Sequence, residues 1–209
     1  AIKAGDHSVV IAGGLENMTR APHYASVRSG VKFGSTEMQD HMVHDGLTCP
    51  FEHWGMGNSA DYTANKHSIS REDQDAFAVQ SHTRAAHATK EGWFKDEIVA
   101  LTGAQLGNRR KPGPEGGLDH DEGVRADSSI EGLAKLRPAF AKDGTVTAGN
   151  ASQISDGAGA VCVMCPDKAK ELGLTPMARI LSYATSGVDP KDIFEAPILG
   201  VRMACEKAG

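Results

Sequence analysis

The side chains best suited to covalent chemistry in this sequence are four cysteines, and nine histidines accompany them. Cys49 and His53 could form a nucleophile and base, but Pro50 breaks any helix that would align them. Cys162 and Cys165 have the spacing of a redox or zinc pair, yet they lie in an apolar run with no second pair at zinc-site spacing. We predict that neither pair is catalytic and that Cys162 and Cys165 are packed strand residues.

Two pairs of histidines, His41 with His44 and His82 with His87, could contribute metal ligands. Neither pair has a third ligand at a suitable spacing. We therefore predict no metal site, and we expect these histidines to face solvent.

Residues 142–165, KDGTVTAGNASQISDGAGAVCVMC, form the most distinctive stretch of the chain. A turn signal precedes the β-branched run 145–147, small residues fill most of 148–160, and an apolar run follows at 161–165. Small side chains allow a backbone to approach a ligand closely. The pattern predicts the wall of a slot for a long, thin ligand. A tight crossing of two backbones without a ligand is the alternative.

The sequence GTVTAGNAS followed by DGA resembles the signature of the thiolase family, whose enzymes make or break acetoacetyl-CoA and 3-ketoacyl-CoA. Further segments follow in that family's order and close to its spacing, and they are residues 13–19, 45–48, 56–57, 70–75 and 136–140. The resemblance covers essentially the whole chain. It implies an α/β protein with a partial thiolase-like fold.

The resemblance also implies a division into domains. Residues 1–18 and 153–172 would belong to the N-terminal α/β domain, 19–152 to an inserted loop domain that binds coenzyme A, and 173–209 to the start of the C-terminal α/β domain. Because the sequence begins without Met and stops at Lys-Ala-Gly, we expect an internal fragment of a longer protein.

Claisen condensation and thiolysis need a thiolate, a base and donors that stabilise negative charge. In the family these groups come from C-x-S-G, N-E-A-F, G-H-P-x-G and C-x-G-G-G segments, and none occurs in this sequence. We therefore assign no catalytic residue and predict that the chain alone is inactive. Coenzyme A esters would be substrates, so no cofactor is implied.

Carried over position by position, the resemblance implies residues that bind coenzyme A. Ser152 matches a serine whose hydroxyl meets the pantetheine amide, and Ala148 matches a small wall residue beside it. Arg125 matches a basic residue near the adenine and ribose, where a guanidinium can stack on a base or meet a phosphate. Met56 matches the methionine over the acyl pocket. The apolar positions that clasp adenine and pantetheine are Leu47, Leu136 and Phe140.

Each of these residues has an ordinary interpretation when it is taken alone. The apolar ones would be core residues, Arg125 a surface ion pair and Ser152 a turn or cap residue. The sequence also departs from the family, with Gly55 in place of a histidine, Gly132 in place of a serine and Ile193 in place of a methionine. These departures leave the preferred acyl chain undetermined.

The resemblance predicts an acetyl-CoA C-acetyltransferase acting through an acyl-cysteine outside this chain, on acetyl-CoA, acetoacetyl-CoA or other 3-ketoacyl-CoA. Complete members of the family are dimers or tetramers, so a homodimer or homotetramer is expected. The alternative is a thiolase-like protein that binds coenzyme A esters or lipids without turnover.

Composition excludes several other classes of protein. A net charge of −5 and a pI of about 6.0 argue against a nucleic-acid-binding surface. No apolar run approaches the roughly 18 to 20 residues that span a bilayer. Four cysteines do not make a disulfide framework in a chain of this length. We predict a cytoplasmic, bacterial-type protein, with mitochondrial and peroxisomal locations left open.

Local signals predict the elements that must position these residues. Ser70 should cap a helix that runs to about Glu91 and stops at Gly92. Shorter helices are predicted near 129–135, from Pro166 to Gly173, and over 198–208. The predicted strands are 8–12, buried on both faces of a parallel sheet, 94–101 and 178–184. Residues 103–123 should form an exposed excursion.

Overall fold

The computed structural model describes residues 1–107 and 111–209, and within them the chain forms two compact units. The first unit comprises residues 1–59 and 154–209, and the second comprises residues 60–153. Residues 108–110 of the predicted excursion lie outside the described residues. The domain boundaries predicted by resemblance remain a prediction.

Two long strands, β1 (Val9–Asn17) and β4 (Asp156–Met164), dominate the first unit. They pair antiparallel from Val9 opposite Met164 to Asn17 opposite Asp156. Small residues meet at the centre of this pair, where Gly13 lies opposite Ala160. Within 1–107 and 111–209, no third strand joins them.

The prediction for residues 8–12 was wrong in two respects. The strand pairs antiparallel, and it is open to solvent, with Ile11 78 % exposed. A strand is buried on both faces only when other layers cover both faces, and a two-stranded sheet does not supply them. Cys162 lies on β4 as predicted but is exposed for the same reason, so its predicted packing was also wrong.

The remaining elements of the first unit include two helices that the sequence predicts. The predicted helices at Pro166 and near residue 198 are confirmed, and Gly173 ends the first of them with a φ of +67°. The predicted strand 178–184 was wrong, because this segment has no regular structure. The elements are a 3₁₀-helix Met18–Arg20, β2 (His23–Tyr24), β3 (Gln39–Asp40), a π-helix Met42–Gly46, α5 (Pro166–Glu171), a 3₁₀-helix Pro190–Glu195 and α6 (Ala196–Ala208).

The second unit is built around α2 (Arg71–Lys90), which confirms its prediction at both ends. The Ser70 hydroxyl accepts the Asp73 N–H at 3.0 Å, and Gly92 has a φ of +72°. The accompanying helices are α1 (Met56–Lys66), whose residues from 60 onward belong to this unit, α3 (Gly103–Leu106) and α4 (Ile130–Leu133).

One predicted strand of the second unit, at residues 94–101, was wrong. Residues 94–101 form turns and irregular chain instead of the predicted strand, and only Leu101 makes a bridge, to Leu118. A strand needs a partner, which no local signal supplies. The buried apolar residues of this unit are Ala64, Ala88, Leu133 and Val146.

None of the helices in the described part of the chain is long and apolar enough to span a membrane.

Candidate binding site

The segment 145–152 consists of an extended run followed by a tight turn. The side chain of Asn150 closes the turn, because its Oδ1 accepts the Thr147 N–H at 2.8 Å and its Nδ2 donates to the Thr145 carbonyl at 3.1 Å. The Gly149 N–H donates to the Thr147 hydroxyl at 3.2 Å. Ala148, between the bonded residues, therefore has a fixed position.

A buried ion pair at the start of α2 holds this turn. Asp75, only 3 % exposed, accepts from Nε of Arg71 at 2.8 Å and from Nδ2 of Asn150 at 2.9 Å. Nη2 of Arg71 also donates to the carbonyls of Leu133 at 2.6 Å and Leu136 at 3.2 Å. A buried carboxylate needs such partners to offset its lost hydration. One ion pair therefore connects the turn to the chain at residues 133–136.

The run before the turn is held from α1 and α2. Oδ1 of Asp61 accepts the backbone N–H groups of Thr145 at 2.7 Å and Val146 at 3.0 Å. Nε2 of Gln74 donates to the Thr145 hydroxyl at 2.9 Å. Val146 and Thr147 are buried, with Thr147 at 0 % exposure. The chain is thus anchored immediately before it emerges at the turn.

The predicted wall residues emerge from this anchored segment. Ala148 and Ser152 are both exposed, and the Ser152 hydroxyl has no hydrogen-bond partner among the described residues. Gly149 lets Leu136 come close, because a Cβ built at Gly149 would lie 2.6 Å from Cδ1 of Leu136. Leu136 and Phe140 are 39 % and 48 % exposed, so neither is a core residue.

Arg125 lies on a loop attached to the same segment. Its guanidinium is exposed and makes no ion pair or hydrogen bond within the part of the chain that is described. Its backbone N–H donates to Nδ1 of His82 at 3.2 Å. Two residues earlier, the Gly123 carbonyl accepts from Nε2 of Gln153 at 2.7 Å. Gln153 follows Ser152 directly, so this bond connects the Arg125 loop with the segment of Ser152.

The other two predicted residues, Leu47 and Met56, belong to the first unit. The Met56 N–H donates to the Leu47 carbonyl at 2.8 Å, and a bridge between Thr48 and Gly55 closes the intervening loop. Both side chains are half-buried. Leu47 also lines a cleft of about 550 Å³, together with Arg20.

A cluster around Asp45 lies next to Leu47. Asp45 is hydrogen-bonded to Nδ1 of His44 at 2.9 Å, to Nδ1 of His41 and to the Tyr24 hydroxyl at 3.3 Å. These bonds, that of His44 foremost, lower the pKa of Asp45 to about 2. Desolvation and then the Asp45 carboxylate raise the pKa of Tyr24. His41 and His44 are exposed, as expected, but they share one carboxylate.

We expect the Asp45 carboxyl to titrate near pH 2 in carbon-detected NMR spectra of the folded protein. Its folded pKa lies below 3.8, the ordinary value for aspartate, so its contribution to stability is complete above pH 3.8 and is lost as the pH falls towards 2. A His44→Asn variant should titrate closer to 3.8. An ordinary titration near 3.8 in the unmodified chain would contradict the observed hydrogen bonding.

The remaining cysteine and histidine candidates do not form reactive pairs. Cys49 is buried while His53 is exposed with a φ of +55°, and no side-chain hydrogen bond joins them among the described residues. His87 stacks edge-on against Trp93 with ring centroids 5.3 Å apart. In residues 1–107 and 111–209, no three His, Cys, Asp or Glu side chains form a group able to hold a metal ion.

Together, these elements define an α/β chain with small residues exposed on a firmly anchored segment. The family profile described as "Thiolase, N-terminal domain" matches residues 1–167. The chain therefore belongs to the thiolase family, and it has the α/β fold of that family's N-terminal domain.

Individual relatives agree with this assignment. The chain is 49 % identical to acetyl-CoA acetyltransferase of Chromobacterium violaceum and 48 % identical to that of Paracoccus denitrificans, covering 100 % and 98 % of this chain. It spans about half the length of these relatives, 52 % and 51 %.

Two crystal structures superpose on almost the whole chain. Bacillus anthracis acetyl-CoA acetyltransferase has a TM-score of 0.90 at 41 % identity, covering 99 % of this chain and 51 % of that one. Human mitochondrial 3-ketoacyl-CoA thiolase in complex with CoA has a TM-score of 0.86 at 38 % identity, covering 99 % and 50 %. The bound coenzyme A is an observation on the human enzyme.

Sequence reasoning did not identify the polar residues that anchor the candidate site. Arg71 and Asp75 lie four residues apart on one helix face, a spacing that signals an ion pair and could have been recognised. Asn150 and Asp61 gave no such signal, because Asn150 contacts a residue 75 positions away and Asp61 one 84 positions away.

Proposed function

We propose that this chain supplies the coenzyme A-binding part of an acetyl-CoA C-acetyltransferase. The protein would condense two acetyl-CoA molecules, or cleave 3-ketoacyl-CoA by thiolysis, through an acyl-cysteine on a residue outside this chain. The end of the first α/β half, an inserted loop domain and the start of the second half would be contained here. This proposal is supported by two relatives that are acetyl-CoA acetyltransferases and that are 48–49 % identical over 98–100 % of this chain.

The observation that carries the proposal is the exposure of Ala148 and Ser152 on an anchored segment. A ligand that threads past this turn meets a methyl group, an unpartnered hydroxyl and no large side chain from these two residues. Ser152 would bond the pantetheine amide, and Ala148 would let the arm approach. The Arg125 guanidinium, unpaired among the described residues, would meet the nucleotide end.

The other predicted contacts belong to the same proposal. Leu136 and Phe140 offer exposed apolar surface for pantetheine and adenine, and Leu47 is assigned the same role. Met56 would cover the acyl group. The complete protein would be a homodimer or homotetramer. Its location would be cytoplasmic, in keeping with the bacterial origin of the two acetyl-CoA acetyltransferases named above.

The test is acetoacetyl-CoA thiolysis by the protein that carries this chain and by its Ser152→Ala variant. We expect KM for the coenzyme A ester to rise about 2- to 10-fold, the equivalent of one hydrogen bond, with a smaller change in kcat. Ser155→Ala, at an exposed serine three residues later, is the matched control and should leave both constants unchanged. A large fall in kcat at constant KM would refute the binding role of Ser152.

Residues 1–209 alone should give only the uncatalysed rate, because the acyl-accepting cysteine is proposed to lie elsewhere. Turnover by this chain would contradict that placement. If the whole protein binds coenzyme A but shows neither thiolysis nor condensation, the function is that of a non-catalytic coenzyme A-ester or lipid-binding relative.

A further inference from the structure

His82 is a half-buried residue of α2 with a single polar partner among the described residues. That partner is the backbone N–H of Arg125, which donates to Nδ1 of His82 at 3.2 Å. An imidazole nitrogen accepts a hydrogen bond only when it carries no proton. The contact therefore requires neutral His82 with its proton on Nε2.

The loop that carries Arg125 is held by few bonds. His82 holds the Arg125 N–H, and Gln153 holds the Gly123 carbonyl at 2.7 Å. The Ser128 N–H donates to the Arg125 carbonyl at 3.2 Å and closes a turn. The guanidinium has no partner of its own in the described chain. These backbone bonds therefore fix the position of the Arg125 Cα, from which the side chain extends.

We propose that His82 is a positioning residue for Arg125: neutral His82 holds the Arg125 backbone so that the guanidinium meets the nucleotide end of coenzyme A, and protonation of His82 releases it. This rests on the proposed function of the chain. Imidazolium carries N–H groups on both nitrogens, so the protonated ring turns a donor towards the Arg125 N–H and the bond is lost. Imidazoles change protonation between about pH 5 and 8, so coenzyme A should bind more weakly towards pH 5.

No carboxylate competes for His82 within the described residues. The elements around this bond are α2, the Arg125 loop and α4, which packs against α2. Besides His82 and Arg125, their charged or titratable side chains are Arg71, Glu72, Asp73, Asp75, Arg84, His87, Lys90, Asp119, His120, Asp121, Glu122, Asp127 and Glu131. None of them forms an ion pair with His82. The bond to Arg125 is therefore the interaction that responds to protonation of this ring.

The experiment is calorimetric titration of coenzyme A into the protein that carries this chain, at about pH 7.5 and about pH 5.5. The test variant is His82→Asn, whose amide oxygen stands where Nδ1 stood and accepts at both pH values. His87→Asn is the matched control on the same helix. The phosphate monoester of coenzyme A titrates near pH 6, so the comparison is between variants and not between absolute affinities.

We compare the factor by which Kd for coenzyme A rises from pH 7.5 to pH 5.5. This factor should be about 2- to 10-fold larger in the unmodified protein and in His87→Asn than in His82→Asn, because only His82→Asn keeps the hydrogen bond at both pH values. His82→Ala should bind more weakly at pH 7.5 and lose the additional pH dependence. Equal pH dependence in the unmodified protein and His82→Asn would overturn the inference while leaving the proposed function intact. Absence of coenzyme A binding by the unmodified protein at both pH values would instead refute the proposed function.

Discussion

Replacing Asp75 by asparagine is expected to lower the free energy of unfolding of the second unit by about 3–5 kcal/mol. Asp75 is 3 % exposed and pairs with Arg71, whose side chain is 20 % exposed. Without the carboxylate, the guanidinium remains in a largely buried position with no compensating charge. An asparagine at position 75 keeps the size of the side chain, so the lost charge dominates the effect.

The measurement is urea denaturation followed by circular dichroism, with hydrogen exchange of the amides at 145–151. Those amides should lose protection, because Asp75 holds Asn150 and Asn150 closes the turn. Glu72→Gln is the matched control, since this exposed carboxylate lies in the first turn of α2, just before Asp75 on the same helix. Its effect should stay within about 0.5 kcal/mol, as for most surface substitutions. An equally small effect of Asp75→Asn would show that the ion pair does not hold the unit together.

Replacing Gly13 by alanine is expected to destabilise the pairing of β1 with β4 by about 1–3 kcal/mol, the usual cost of overpacking. A Cβ at Gly13 would lie 2.5 Å from the carbonyl oxygen of Gly159 and 3.2 Å from Cα of Ala160. Both are backbone atoms of the partner strand, so no side-chain rotation relieves the contact. The strands must separate locally, which lengthens their hydrogen bonds.

Gly14 offers a direct comparison, because a Cβ there has nothing within 4 Å. Gly14→Ala should be neutral or slightly stabilising, since alanine reduces the freedom of the unfolded chain. Hydrogen exchange along residues 9–17 and 156–164 would distinguish the two variants. Unchanged exchange rates in both variants would show that β1 and β4 accommodate a methyl group at position 13, which would contradict the predicted steric overlap.

Helix boundaries could be predicted from the sequence because their causes are local. Ser70 accepts a backbone N–H three residues along, and Gly92 takes the left-handed conformation that other residues avoid. Pro166 begins α5 for an equally local reason, its fixed φ and missing N–H. No distant contact is needed for any of these signals.

Strands were predicted less well because their formation depends on partners far along the chain. Residues 94–101 and 178–184 have apolar, strand-like patterns, but no neighbouring strand pairs with them among the described residues. Residues 9–12 do form a strand, yet its antiparallel direction follows from its pairing with residues 161–164. The hydrophobic pattern alone carried no information on that partner.

The sequence by itself determined the family, the helix ends, the composition of the small-residue segment and the residues expected to meet coenzyme A. Only the tertiary structure decided how Ala148 and Ser152 are presented, because the groups that hold their segment, Asp61 and Asp75, come from distant helices. The physical reason is that a buried carboxylate takes its hydrogen-bond partners from whatever the fold brings within about 3 Å, whereas sequence patterns describe neighbours along the chain.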